Sequence, residues 1–172
     1  MFFESKRSKE MVQPIEIYTD GSLKKTGPLT FGGWAFVVMQ DGHETYEASG
    51  SIHGTTNQRM ELQAIVNALE YAKATRRGPE KVIIYSDSAY AVNCYLKEWY
   101  IGWQSNGWRT STDKEVANQD LWQKIIPYFD NFWYDFRKVP GHAGNIGNER
   151  CDELAQEEAE KLKRHWKGLK NV

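Results

Sequence analysis

The chain has little cysteine, no long apolar run and almost no excess of charge of either sign. Its two cysteines, Cys94 and Cys151, lack a CxxC pair and a histidine at metal-ligand spacing, so they indicate neither a disulfide framework nor a zinc site. A reduced intracellular setting is expected, and within it the cytoplasm. No stretch approaches the roughly 18 to 20 apolar residues that cross a bilayer, and Met1 to Glu10 is too polar for a secretory leader. A soluble protein without membrane contact follows. The formal net charge of -1 sets 22 basic residues against 23 acidic ones, which excludes coating of nucleic acid by charge alone. It leaves room for a local basic surface, or for an acidic spot whose sign bound cations reverse.

What is present is enough apolar material for a core: 40% of the 172 residues are hydrophobic and 13% aromatic. One domain over residues 14–172 is expected, preceded by a short flexible polar extension over 1–13. Ile15 to Thr19 alternates like a strand and stops at Asp20-Gly21-Ser22, a turn signal. Gly32 to Met39 and His43 to Ser51 flank Gln40-Asp41-Gly42, where the Asp-Gly pair marks a hairpin. From Asn57 to Lys73, Leu62, Ile65, Val66 and Leu69 recur at helical spacing, with Thr56 or Asn57 as N-cap. Val82 to Tyr85 suits a strand buried on both faces, closed by Ser86-Asp87-Ser88 before another helical stretch.

Trp99 to Thr112 is rich in Trp and Gly and poor in periodicity, which predicts a projection, and Glu115 to Ile126 reads as helical up to Pro127. Phe132 to Arg137 reads as a last strand. Val139 to Asn145 reads as a loop, and Asn148 to about Lys167 as a helix whose early acids and late bases match its dipole. The order βββαβαβα is an α/β architecture: a five-stranded mixed sheet, three antiparallel strands then two parallel, flanked by helices and carrying a helical insertion.

Four carboxylates stand where such a fold can gather them. Asp20 and Asp87 lie where strand meets loop, and Glu61 and Asp152 lie early in helices; ligand sites favour that edge of a sheet. Two divalent ions about 3.5 to 4 Å apart clamp the attacking and leaving oxygens of a phosphodiester displacement, and magnesium prefers oxygen ligands. Taken singly, each acid has a plainer reading as Asx-turn, helix cap or solvated side chain.

Five ordered segments, Tyr18-Thr19-Asp20-Gly21-Ser22, Thr55 to Leu62, Tyr85-Ser86-Asp87-Ser88, Gly141 to Asn145 and Asn148 to Ala155, closely resemble type 1 ribonuclease H of the handle-containing cellular kind. The similarity runs from about Ile15 to about Ala159. It implies an endonuclease that hydrolyses the RNA strand of RNA-DNA hybrids by two-metal-ion cleavage, leaving 5′-phosphate ends. Two Mg2+ per site, with Mn2+ as a substitute, and a monomer are expected with it.

By that resemblance Asp20, Glu61, Asp87 and Asp152 match the metal-binding acids, His142 a mobile-loop histidine in proton transfer or product departure, and Glu149 an acid near the second metal. Asn57 and Gln58 match residues that read the RNA strand, where an amide suits a 2′-hydroxyl, and Gly21 matches a close backbone approach to it. Thr56 and Asn118 match residues that grip a DNA-strand phosphate. Many relatives carry Arg where this chain has Gly54, so a weakened phosphate pocket, or one completed by the Gly54 backbone amide, is expected. Trp103 matches a handle residue that contacts the DNA strand, whereas Trp99 and Trp108 read as packing anchors. The handle is faintly basic, with Lys97, Arg109 and Lys114 set against Glu98 and Asp113. The alternatives are a catalytically weak hybrid-binding relative or another nuclease of the superfamily. A proofreading exonuclease usually has a second acid where this chain has Ser22.

Overall fold

A computed structural model describes residues 12–139 and 144–170. β1 (Ile15–Thr26), β2 (Leu29–Gln40) and β3 (His43–His53) form an antiparallel meander, and β4 (Val82–Ser86) and β5 (Tyr134–Lys138) extend it in parallel. The sheet order is β3-β2-β1-β4-β5. This is the mixed five-stranded architecture that the pattern predicts. The β2-β3 hairpin turns at Asp41 and Gly42, whose φ values of 51° and 75° are the pair of positive angles an Asp-Gly hairpin supplies.

β1 departs from expectation by running through Asp20-Gly21-Ser22 to Thr26. Its ladder pairs Asp20 with Ala35, Gly21 with Trp34 and Ser22 with Gly33, and the chain turns only at Gly27, φ 56°. Backbone pairing with β2 holds these polar residues in the sheet although their side chains carry turn chemistry.

α1 (Asn57–Thr75) starts at Thr56, whose hydroxyl accepts from the Arg59 N–H at 3.1 Å, so Thr56 and not Asn57 is the cap. α2 (Ala89–Leu96) is capped by Ser88. α3 (Trp99–Ser105) opens the handle. α4 (Gln119–Ile125) begins later than Glu115, because Glu115 bridges to Arg109 and the Val116 N–H donates to Trp108. α5 (Ile146–Lys170) closes the fold. Helices α1 to α4 cover one face of the sheet over Ile17, Phe36, Leu62, Ile65, Leu69, Ile84 and Trp122. α5 covers the other over Tyr18, Ala35, Val37, Ile83 and Tyr85. α5 can approach β2 because Gly33 has no side chain: a Cβ there would lie 2.0 Å from the Ala155 carbonyl oxygen. No helix among the described residues is long and apolar enough to cross a membrane.

Candidate active site

β1 and β4 run parallel in a register that sets Thr19 beside Ser86, so Asp20, still within β1, and Asp87, just past the end of β4, stand at the same level. Glu61 comes from the second turn of α1 above them. Gly21 makes the approach of α1 to β1 sterically feasible, since a Cβ at that position would lie 2.5 Å from the Glu61 nitrogen and 2.7 Å from the Met60 carbonyl carbon. The result is that one oxygen each from Asp20, Glu61 and Asp87 lies within 4.8 Å of the others. Asp20 is 5% exposed and Glu61 7%, while Asp87 opens to solvent.

Little compensates these charges. The Gly21 N–H donates to Asp20 Oδ1 at 2.8 Å, but Glu61 Oε2 is shut from water and has no hydrogen-bond partner among the described residues. Burial, followed by repulsion from Asp87, pushes the Asp20 carboxyl up to about 8. Burial, then Asp20 and Asp87, pushes Glu61 up to about 9. Asp87 is raised as well, by burial first and by Asp152 among its neighbours. Three acids that resist ionising together, with a buried oxygen left unpartnered, form a donor set suited to a hard divalent cation such as Mg2+.

Asp152 lies outside this compact trio. It projects into solvent from the second turn of α5, accepts from Gln156 Nε2 at 2.8 Å, and adjoins Asp20 closely enough to raise its pKa. Its position depends on Cys151, a residue that sequence reasoning left without a role. The buried thiol donates to the carbonyls of Ala35 at 3.2 Å and Tyr18 at 3.4 Å, seating this turn of α5 on β1 and β2. Its sequence signal is its place beside Asp152 in the last motif.

His142 lies outside the described residues. Glu149 accepts from the Gly144 N–H at 2.9 Å and is not a member of the acidic trio. Asn145 anchors the same end by capping α5 at Asn148 and donating to the Tyr18 hydroxyl.

Thr56 and Asn57 are exposed at the start of α1, the helix that carries Glu61, while Gln58 and Asn118 are half-buried. Asn118 Nδ2 approaches Gln58 Oε1 at 3.4 Å. Gly54 has φ 72°, a conformation that would strain an arginine, and its N–H already donates to Thr30 at 2.9 Å. Its amide is therefore not free to complete a phosphate pocket, contrary to the expectation above. Among the handle tryptophans, Trp103 departs from its expected exposure. Trp103 is 8% exposed and packs edge-on against Trp122, with ring centroids 5.5 Å apart, so it is a core residue in this conformation. Trp99 and Trp108, partly buried, pack against the same core through Tyr90 and Trp103, in keeping with the expected anchoring role. Spacing along α3 does not reveal which of Trp99 and Trp103 faces inward.

The model of the RNase H family matches residues 12–160. The chain belongs to the RNase H family. Ribonuclease H of Nitratidesulfovibrio vulgaris (strain DP4) is 44% identical over 146 residues, which cover 84% of this chain and 88% of that protein. Among solved structures, LC9-RNase H1, a type 1 RNase H with the type 2 active-site motif, superposes with a TM-score of 0.70 at 26% identity, covering 90% of this chain and 75% of that one. LC11-RNase H1 in complex with an RNA/DNA hybrid gives 0.62 at 25%, covering 86% and 98%. The fold and the enzyme class of this RNase H family member are those expected from its motifs.

Proposed function

We propose that the chain hydrolyses the RNA strand of RNA-DNA hybrids at the Asp20-Glu61-Asp87 cluster and leaves 5′-phosphate and 3′-hydroxyl ends. The observation that carries this reading is the convergence of one oxygen each from three carboxylates within 4.8 Å, with a buried Glu61 Oε2 that has no hydrogen-bond partner among the described residues. Asp20, Glu61 and Asp87 would hold divalent ions, Mg2+ or in its place Mn2+, and Asp152 would complete the shell from the open side. When bound, a pair of such ions supplies Lewis-acid stabilisation of the attacking and leaving oxygens of the phosphodiester.

The chain's own residues supply the choice of substrate. Asn57 and Gln58 present amides, which both donate and accept, toward the place where a 2′-hydroxyl distinguishes RNA from DNA. Gly21 is the backbone approach to that strand, while Thr56 and Asn118 take a phosphate of the DNA strand. His142 moves a proton during turnover or product departure, a task suited to a neutral-range side chain, and Glu149 assists from the end of the same loop. The relative solved with an RNA/DNA hybrid supports this substrate. The two free buried cysteines fit a reduced cytoplasmic setting, and the working unit is a monomer.

Labelled RNA-DNA hybrid, double-stranded RNA, double-stranded DNA and single-stranded RNA, each incubated with magnesium and with chelator, test the proposal. Chelator-sensitive cutting of the hybrid alone is expected; equal cutting of double-stranded RNA, or cutting that survives chelation, contradicts it.

A further inference from the structure

Arg59 follows Gln58 along α1 and bonds Asn118, two residues that this reading assigns to opposite strands of the hybrid. Its guanidinium forks onto Asp120, Nη1 to Oδ1 at 2.9 Å and Nη2 to Oδ2 at 2.5 Å, and Nη1 also donates to Asn118 Oδ1 at 3.3 Å. Asn118 itself is held at φ 60°, and its carbonyl accepts from the N–H groups of Leu121 and Trp122. With the main chain fixed, the orientation of the side-chain amide is the remaining variable.

An asparagine amide has a donating end and an accepting end, whereas a guanidinium has donors only. Arg59 therefore selects the carbonyl end of Asn118 and turns the NH2 end away, where one N–H faces Gln58 Oε1 and the other meets no acceptor among the described residues. An anionic phosphate oxygen needs that donor. Asp120 keeps the guanidinium in place with a bidentate grip that a lysine could not reproduce. Gly54 contributes neither a cationic side chain nor a free amide nearby, so the orientation of Asn118 carries more of the phosphate contact than it would beside an arginine.

We infer that Arg59 is a positioning residue: it holds Asn118 donor-outward for a DNA-strand phosphate and ties that contact to Gln58 on the RNA-strand side. The inference rests on the hybrid-cleavage reading above. Arg59 and Asp120 have side chains 35% and 59% exposed, and an ion pair so open contributes little stability. Function, not thermal stability, is therefore the discriminating readout.

The test measures steady-state kinetics on a hybrid for wild type, Arg59→Gln, Arg59→Lys and Asp120→Asn. Arg59→Gln should raise KM roughly tenfold with kcat changed by less than about twofold, as loss of one well-made hydrogen bond to a charged group implies. Asp120→Asn should raise KM in the same direction but less, and Arg59→Lys should fail to restore the wild-type value. A scan of single neutral methylphosphonates along the DNA strand should then find one position where wild type weakens and Arg59→Gln weakens no further. An unchanged KM in Arg59→Gln, full rescue by Lys, or undiminished additivity at every position overturns the inference. Wild-type protein that cuts no hybrid overturns the parent reading instead.

Discussion

Asp20 and Glu61 are carboxyls placed where little water reaches them, and their titration follows from that placement. An acid whose pKa rises on folding binds more protons in the native chain than in the unfolded one. Between the ordinary carboxylate range near 4 and the raised values of about 8 and about 9, stability of the metal-free protein must therefore fall as pH rises; below that window the penalty is absent. Urea unfolding in chelator at pH 5 and pH 8.5 should show this loss, and magnesium should restore more stability at the higher pH. A metal-free stability that rises across the window contradicts the raised values. Asp20→Asn removes one of these charges, so it should abolish most hybrid cleavage, by roughly a hundredfold or more. The same substitution should stabilise the metal-free protein at pH 8 by on the order of 1 kcal/mol or more. A variant with full turnover contradicts the role of Asp20 as a ligand.

The identities of these acids were legible in the motifs, but their burial was not. Asp-Gly-Ser carries the chemistry of a turn, and only the partner strand shows that Asp20 sits within a ladder. Arg59 was equally hidden, because its partners Asn118 and Asp120 lie about sixty positions away in sequence.

At the scale of elements, the site depends on how closely helices approach the sheet. Gly21 sets the separation of α1 from β1, and the atoms a side chain would strike are α1 backbone, which cannot rotate aside. Gly21→Ala should therefore displace Glu61 from Asp20 and lower kcat at least tenfold, with overpacking costing roughly 1 to 3 kcal/mol in denaturant unfolding. Wild-type activity and stability in that variant contradict the account of the close approach. The long periodic helices and the Asp41-Gly42 hairpin were readable because local chemistry decides them. The start of α4 was not: the Arg109-Glu115 bridge takes the residues that local pattern assigns to its first turn.

At the scale of the whole molecule, a near-neutral chain must hold a polyanion through local geometry. The cluster that would hold cations adjoins Asp152 of α5, and α1, which supplies Glu61, also presents Gln58 to Asn118 and is capped by Thr56. Sequence order shows that these groups exist, but only the β1-β4 register and the packing of α1 and α5 show how they adjoin. Trp103 gives the converse lesson. Its motif position suggested a surface role, whereas its packing against Trp122 makes it part of the core.

The central claim is that Asp20, Glu61 and Asp87 together retain paired hard cations against a backbone phosphate. Crystals of the protein with uncleavable hybrid and Mn2+, measured at the manganese absorption edge, test it most directly. Two anomalous peaks about 4 Å apart, bridged by these carboxylates and a hybrid phosphate, are predicted. Manganese bound elsewhere, with the three carboxylates unoccupied beside an ordered hybrid, would contradict it.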